Sequence, residues 1–165
     1  MTVISNLMEW LKNRGVQGHF TKLDVGRAAI RYMDDCEFFK EYCGQPLRSA
    51  AEVRTTTIPF RKVLCEECHG WLDLTVFPWL ANRLNTNTAS LSEFKTCVRE
   101  IVQNIKDHST EEIGCIHIQH FPSNNTVEIS VSDFGIGIPA ELGRAFTCNN
   151  DAEALALAVQ EGISS

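Results

Sequence analysis

The clearest hydrophobic pattern in the chain is helical. Leu91, Phe94, Val98, Ile101, Val102 and Ile105 fall at three- and four-residue spacing within Leu91–Thr110, one stripe of a 3.6-residue period, and predict an amphipathic helix with that stripe in the core. Ser90 stands before it and Glu93 three residues further on, the arrangement of a capping box, in which each side chain satisfies a backbone N–H left free at the helix start. The period then changes. Ile113–His120 and Thr126–Ser132 alternate, or run apolar and β-branched, around a Pro122–Asn125 turn, which predicts a β-hairpin.

Upstream, Val3–Asn13 reads as a helix with Ile4, Leu7, Met8 and Leu11 on one stripe and Gly15 as its stop. A short extended segment, His19–Leu23, precedes a second helix over Val25–Met33, and Cys36–Tyr42 is rich in aromatics. Gln45–Thr57 is a polar linker, and Thr56–Leu64 holds a strand interrupted by Pro59, which favours a sheet edge. Trp71–Leu84 is densely apolar around Pro78 and predicts two short helical pieces or a kink at Phe77, with Trp71 and Trp79 in the core. Towards the C-terminus, Ala140–Asn150 begins helically and breaks at Cys148–Asn150; Asp151 then caps a helix over Ala152–Gln160 that Gly162 stops.

Composition narrows the function. The 165 residues fit one domain, or one domain plus a fragment, with 44% apolar and 22% charged residues as in folded proteins. A net charge of −6 argues against nucleic-acid binding, which needs clustered Lys and Arg. Membrane insertion is not expected, because no apolar run approaches the ~20 residues that cross a bilayer, and Met1–Trp10 lacks the marks of a signal peptide. Seven cysteines, an odd number, fit free thiols and a cytoplasmic protein better than a disulfide framework. Cys65, Cys68 and His69 form CEECH, which could supply zinc or redox ligands, but no second pair follows at finger spacing. Ordinary thiols near a helix start are the expectation, with a zinc protein as the third-ranked alternative.

Candidate chemistry gathers at two places. Glu100, Asn104 and His108 are spaced i, i+4, i+8 and so lie along the flank of the apolar stripe. A carboxylate, a carboxamide and an imidazole there could hold a hydrated metal, or form an ordinary solvated face. The second place is VSDFGIGIP, Val131–Pro139. Asp133 ends a strand, where it can accept a hydrogen bond from an amine, and Gly135 and Gly137 allow backbone to approach a ligand closely.

Together these motifs resemble the GHKL ATPase superfamily of histidine kinases, anti-sigma-factor kinases, a heat-shock chaperone and the gyrase ATPase domain: EIVQN followed by His108 is similar to its N-box, and DFGIGIP to its G1 box. The resemblance implies a two-layer α/β sandwich with a mixed or antiparallel sheet, helices on one face and a nucleotide between the layers. It implies ATP and Mg²⁺ as cofactors, with Glu100 as general base, Asn104 as Mg²⁺ ligand, Asp133 on the adenine amino group, and Gly135 and Gly137 closing on the nucleotide. His108 matches a position near the phosphates. Asp107 departs from the pattern, since a lysine is common there. The family also has a glycine-rich G2 segment holding the triphosphate, then further strands. Neither is found after the last helix, so the chain reads as C-terminally incomplete, with an exposed sheet edge that favours association of copies.

The chain divides on this reading into a partial ATP-binding domain over 51–165 and an N-terminal α/β segment over 1–50, whose helix–strand–helix pattern resembles the C-terminal part of a STAS-like domain. The expected function is Mg²⁺-dependent ATP binding with hydrolysis or phosphoryl transfer, in a bacterial-type signalling ATPase or an anti-sigma-like protein kinase with a protein phosphoacceptor. No long helix carries a phosphoaccepting histidine, which sets the sensor-kinase arrangement aside. The alternative is a non-catalytic signalling module with an incomplete pocket, working through protein contacts.

Overall fold

The computed structural model describes residues 1–62, 65–108 and 113–160, the side chains at 65–67, 106 and 108 excepted. Its centre is an antiparallel sheet in which β1 (Thr57–Lys62), β2 (Gly114–Phe121) and β3 (Thr126–Asp133) lie in sequence order. The β2–β3 hairpin pairs without interruption from Gly114↔Asp133 to Phe121↔Thr126, and Asn125 closes its turn at φ 51°, a left-handed conformation that asparagine tolerates. β1 is an edge strand whose register shifts between Ile58 and Arg61. Pro59 sits in that shift, where its missing N–H breaks no regular ladder.

Because side chains alternate along a strand, the register gives the sheet two unlike faces. Ile116, Ile118, Val127, Ile129 and Val131 share one; Cys115, His117, Gln119, Glu128, Ser130 and Ser132 share the other. The apolar face is covered by α4 (Cys65–Trp71), a π-helical turn (Leu72–Val76), α5 (Phe77–Arg83) and α6 (Ser92–His108). Leu72, Val76, Phe77, Leu80, Val98 and Val102 bury themselves there against Ile58, Ile116 and Ile118, with Trp71 and Trp79 packed at the margin. Pro78 lies in the first turn of α5; having no N–H to donate backwards, it accounts for the π-helical turn just before it. This sheet and its helical cover form the expected α/β two-layer sandwich with an antiparallel sheet.

The N-terminal helices pack on the sheet's other face, so helices cover both faces where the resemblance implied one. α1 (Thr2–Asn13), α2 (Ala28–Asp35) and α3 (Phe38–Cys43) bring Phe38 and Phe39 against Phe60 and Cys115 in a second core. Lys62 joins β1 to Glu9 at 3.3 Å and to Glu41 at 2.5 Å. The linker after α3 is held by Asp34, which is buried and accepts from the backbone N–H groups of Leu47 and Arg48 at 2.8 and 3.1 Å.

Several expectations are corrected. His19–Leu23 forms no strand; Lys22 at φ 56° turns the chain there instead. Ile4 and Leu7 of the α1 stripe are 43% and 46% exposed, whereas Thr2, Ser5 and Asn6 are buried, and in the α6 stripe Phe94 and Ile101 are 38% and 48% exposed beside buried Val98, Val102 and Ile105. The Ser90 hydroxyl bonds Asn87 Oδ1 at 3.1 Å rather than capping α6. α7 (Ile138–Ala145) and α8 (Asp151–Ala158) pack on each other, and α8 is capped by Asn150, whose Oδ1 accepts from Glu153 N–H at 2.9 Å, not by Asp151. Gly162 lies outside the described residues. No helix among the described residues is long and apolar enough to cross a membrane.

Candidate functional site

α6 and β3 part company at the C-terminal end of both, and the gap is an open cleft of about 560 Å³. The distance between them is set on the other side by Gly114, where a Cβ would meet Ile105 Cγ2 at 2.8 Å; only glycine lets α6 lie so close to the start of β2. Ile101, Ile105, Val131, Ile136, Ile138 and Leu142 give the cleft apolar walls, and Asn104, Asp107, Asp133 and Glu141 its polar groups. Gly135 and Gly137 line it as backbone. Gly137 has φ 85°, a region costly for any residue with a Cβ, and it turns the chain from the strand into α7.

The alternation of β3 explains why Asp133 serves this cleft. Asp133 lies on the face of Val131 and Ile116, beneath α6, while its neighbour Ser132 lies on the face of Cys115. Asn104 approaches from the helix above. Both side chains are exposed, and the apolar walls with polar groups at the rim are the lining of a small-molecule site.

The sequence-derived candidates are only partly brought together. Asn104, Asp133, Gly135 and Gly137 line one cleft. Glu100 is exposed and is not among the lining residues; it sits one turn before Asn104, ~6 Å along the axis. The side chain of His108 lies outside the described residues. Asp107 and Glu141 line the cleft without having been singled out for it. Asp107 shares the flank of Glu100 one heptad on, a signal available from spacing; Glu141 had none, because it depends on where α7 folds back.

A second polar cluster is closed. On the opposite sheet face, Tyr32 Oη donates to Gln119 Oε1 at 2.6 Å, as does Thr57 Oγ1 at 2.6 Å. His117 Nε2 lies 3.1 Å from Tyr32 Oη and 3.6 Å from Cys36 Sγ. Burial pushes His117 down to about 4 and the Cys36 thiol up to about 11, and raises Tyr32 well above its ordinary value. At neutral pH all three are uncharged, and Cys36 is 1% exposed. The cluster joins α2 to the sheet and offers no reachable nucleophile. In CEECH, Cys68 is part of the core, while the Cys65 side chain is outside the described residues. Among the described residues no group of three or more His, Cys, Asp and Glu is placed to hold a metal ion.

Comparison of the chain with protein-family models, with curated proteins and with solved structures finds no match.

Proposed function

We propose that the chain is a GHKL-type nucleotide-binding domain that takes ATP with Mg²⁺ in the cleft between α6 and β3. The observation that carries this reading is the convergence of Asn104 with Asp133, Gly135 and Gly137, two motifs well apart in sequence, on one open cleft. The lining offers groups for the base and the metal, while its other charged groups among the described residues are the carboxylates Asp107 and Glu141, so the phosphates would depend on Mg²⁺ for neutralisation. Asp133 would accept from the adenine amino group, the isoleucine walls would hold the ring, and Asn104 Oδ1 would complete a Mg²⁺ shell made mostly of phosphate oxygens and water. ATP hydrolysis or phosphoryl transfer to a protein acceptor is the reaction class this supports, because such chemistry rests on positioning and charge neutralisation.

Calorimetric titration of Mg-ATP into the chain tests it. Asp133→Asn removes the charge and replaces one of the two acceptor oxygens with an NH₂ donor, so a loss of ~10- to 100-fold in affinity is expected, the worth of one charge-assisted hydrogen bond. Asn104→Ala should remove the dependence on Mg²⁺ without disturbing the fold, because Asn104 is exposed. A folded chain with no affinity for Mg-ATP overturns the proposal.

One observation favours the alternative, a module that binds without turnover: Glu100 stands outside the cleft lining. The two readings separate on Glu100→Ala. A working base predicts steady-state ATPase activity that falls by 100-fold or more with ATP affinity retained. A binding module shows no turnover in the parent chain.

A further inference from the structure

We propose that α1 is a positioning element of the cleft, acting on Asp133 through Asn6 and Trp10. The inference rests on the nucleotide-binding reading above. Asp133 is flanked in the chain by Ser132 and Phe134, and α1 holds both. Asn6 Nδ2 donates to Ser132 Oγ at 3.0 Å, and the ring of Trp10 stacks on that of Phe134 with centroids 5.9 Å apart and planes 23° apart. Arg14 covers Trp10 in turn, its guanidinium carbon 4.0 Å from the ring centroid. Since side chains alternate, Ser132 and Phe134 point to the α1 side and Asp133 to the cleft. Fixing both neighbours therefore fixes the direction of the carboxylate between them. The Phe134 backbone N–H also stays on the ladder, donating to Ile113 O at 3.2 Å, which leaves the side chain as the degree of freedom that Trp10 removes.

Asn6 is a poor choice for stability alone. It is 2% exposed, and its Oδ1 is buried without a hydrogen-bond partner among the described residues. An unpaired buried acceptor is destabilising, and a leucine, branched at Cγ like asparagine, would carry no such penalty. A local rule broken without a stability gain is what a functional position looks like. The bond to Ser132, next to the residue proposed to read the base, supplies the reason. α1 thereby becomes part of the base-recognition apparatus, although none of its residues lines the cleft.

The test measures ATP and GTP affinities and thermal melting for the parent chain, Asn6→Leu, Trp10→Leu and Trp10→Phe, each with and without Asp133→Asn. Asn6→Leu and Trp10→Leu should weaken ATP about 5- to 10-fold, a typical coupling between sites, and narrow the preference for ATP over GTP. Both effects should vanish when Asp133→Asn is already present. Trp10→Phe, which keeps a stacked ring, should restore the parent values, and the melting curves should show every variant folded at the temperature of the titration. Unchanged preference, or equal losses in the Asp133→Asn background, overturns the positioning role. Should the parent chain bind neither nucleotide, the proposed function falls and positioning is read by nuclear magnetic resonance instead. In Trp10→Leu the amide signals of Asp133 and Gly135 should then move while those of Asn124 and Asn125 stay, and unmoved Asp133 and Gly135 signals overturn the inference.

Discussion

α1 and α6 are both amphipathic by sequence, yet they lie on the sheet in opposite senses. α6 turns Val98, Val102 and Ile105 inwards, at 4%, 1% and 5% exposure, onto a face of isoleucine and valine. α1 turns Ser5, Asn6 and Thr2 inwards and leaves Val3, Ile4 and Leu7 outside. The reason lies in what each helix meets. α1 crosses β2 and β3 beside Ser132 and Tyr42, where Asn6 Nδ2 donates to Ser132 Oγ at 3.0 Å and the Ser5 hydroxyl lies 2.5 Å from Tyr42 Oη, so its polar flank finds partners that its apolar flank could not. A helix buries the flank that matches the surface available, and for α1 that surface is polar.

The largest consequence is at Val102. A carboxylate placed there would be buried against Ile116 without a partner, which costs more than ~4 kcal/mol, so Val102→Asp should abolish cooperative unfolding. Leu7→Asp on the outward flank of α1 should leave a normal denaturation curve. Equal damage from the two would erase the distinction between the helices.

That distinction marks the boundary of what the sequence discloses. Periodicity shows that a helix exists and which residues share a stripe, and for the hairpin and the edge strand at Pro59 this sufficed, whereas in the α6 stripe Phe94 and Ile101 stay 38% and 48% exposed. Periodicity does not say whether the stripe faces the protein. In α1 the answer depended on β3, more than a hundred residues away. The cap of α8 was ambiguous for a local reason: Asn150 and Asp151 are adjacent and either type can cap, and only the bond to Glu153 N–H decides. The cleft was legible where backbone chemistry speaks, at Asp133, Gly135 and Gly137. Glu100 shows the opposite case, because helical spacing gives a residue's angle around the axis and not whether the cleft extends that far along it.

The polar face of the sheet should also betray itself in acid. His117 is held neutral by burial, with a folded value of about 4 against ~6.5 unfolded. The unfolded chain therefore binds the extra proton first. Stability from this group is complete above pH ~6.5 and is lost as pH falls towards 4, by ~2 kcal/mol after allowance for partial solvation. Denaturant unfolding at pH 7 and pH 4.5 should show that slope in the parent chain and a shallower one in His117→Gln. Matching slopes would mean that His117 is solvated. Smaller again, Asn150→Ala removes the one side-chain cap on α8 and should cost ~1 kcal/mol, visible as faster amide exchange at Glu153.

The smallest effect is the most telling for α1. Leu7 is 46% exposed, so Leu7→Gln removes little apolar area from contact and should change the unfolding free energy by less than ~0.5 kcal/mol. A comparison with Val102→Ala, expected to cost ~2 kcal/mol through the cavity it leaves, puts two stripes of the same periodicity on one scale. If Leu7→Gln cost as much as Val102→Ala, Leu7 would be covered in solution, and the polar-inward seating of α1 on Ser132 would no longer be the reason for its orientation. If it cost nothing, the burial of Asn6 would stand as the feature that distinguishes α1 from a helix held by its apolar stripe.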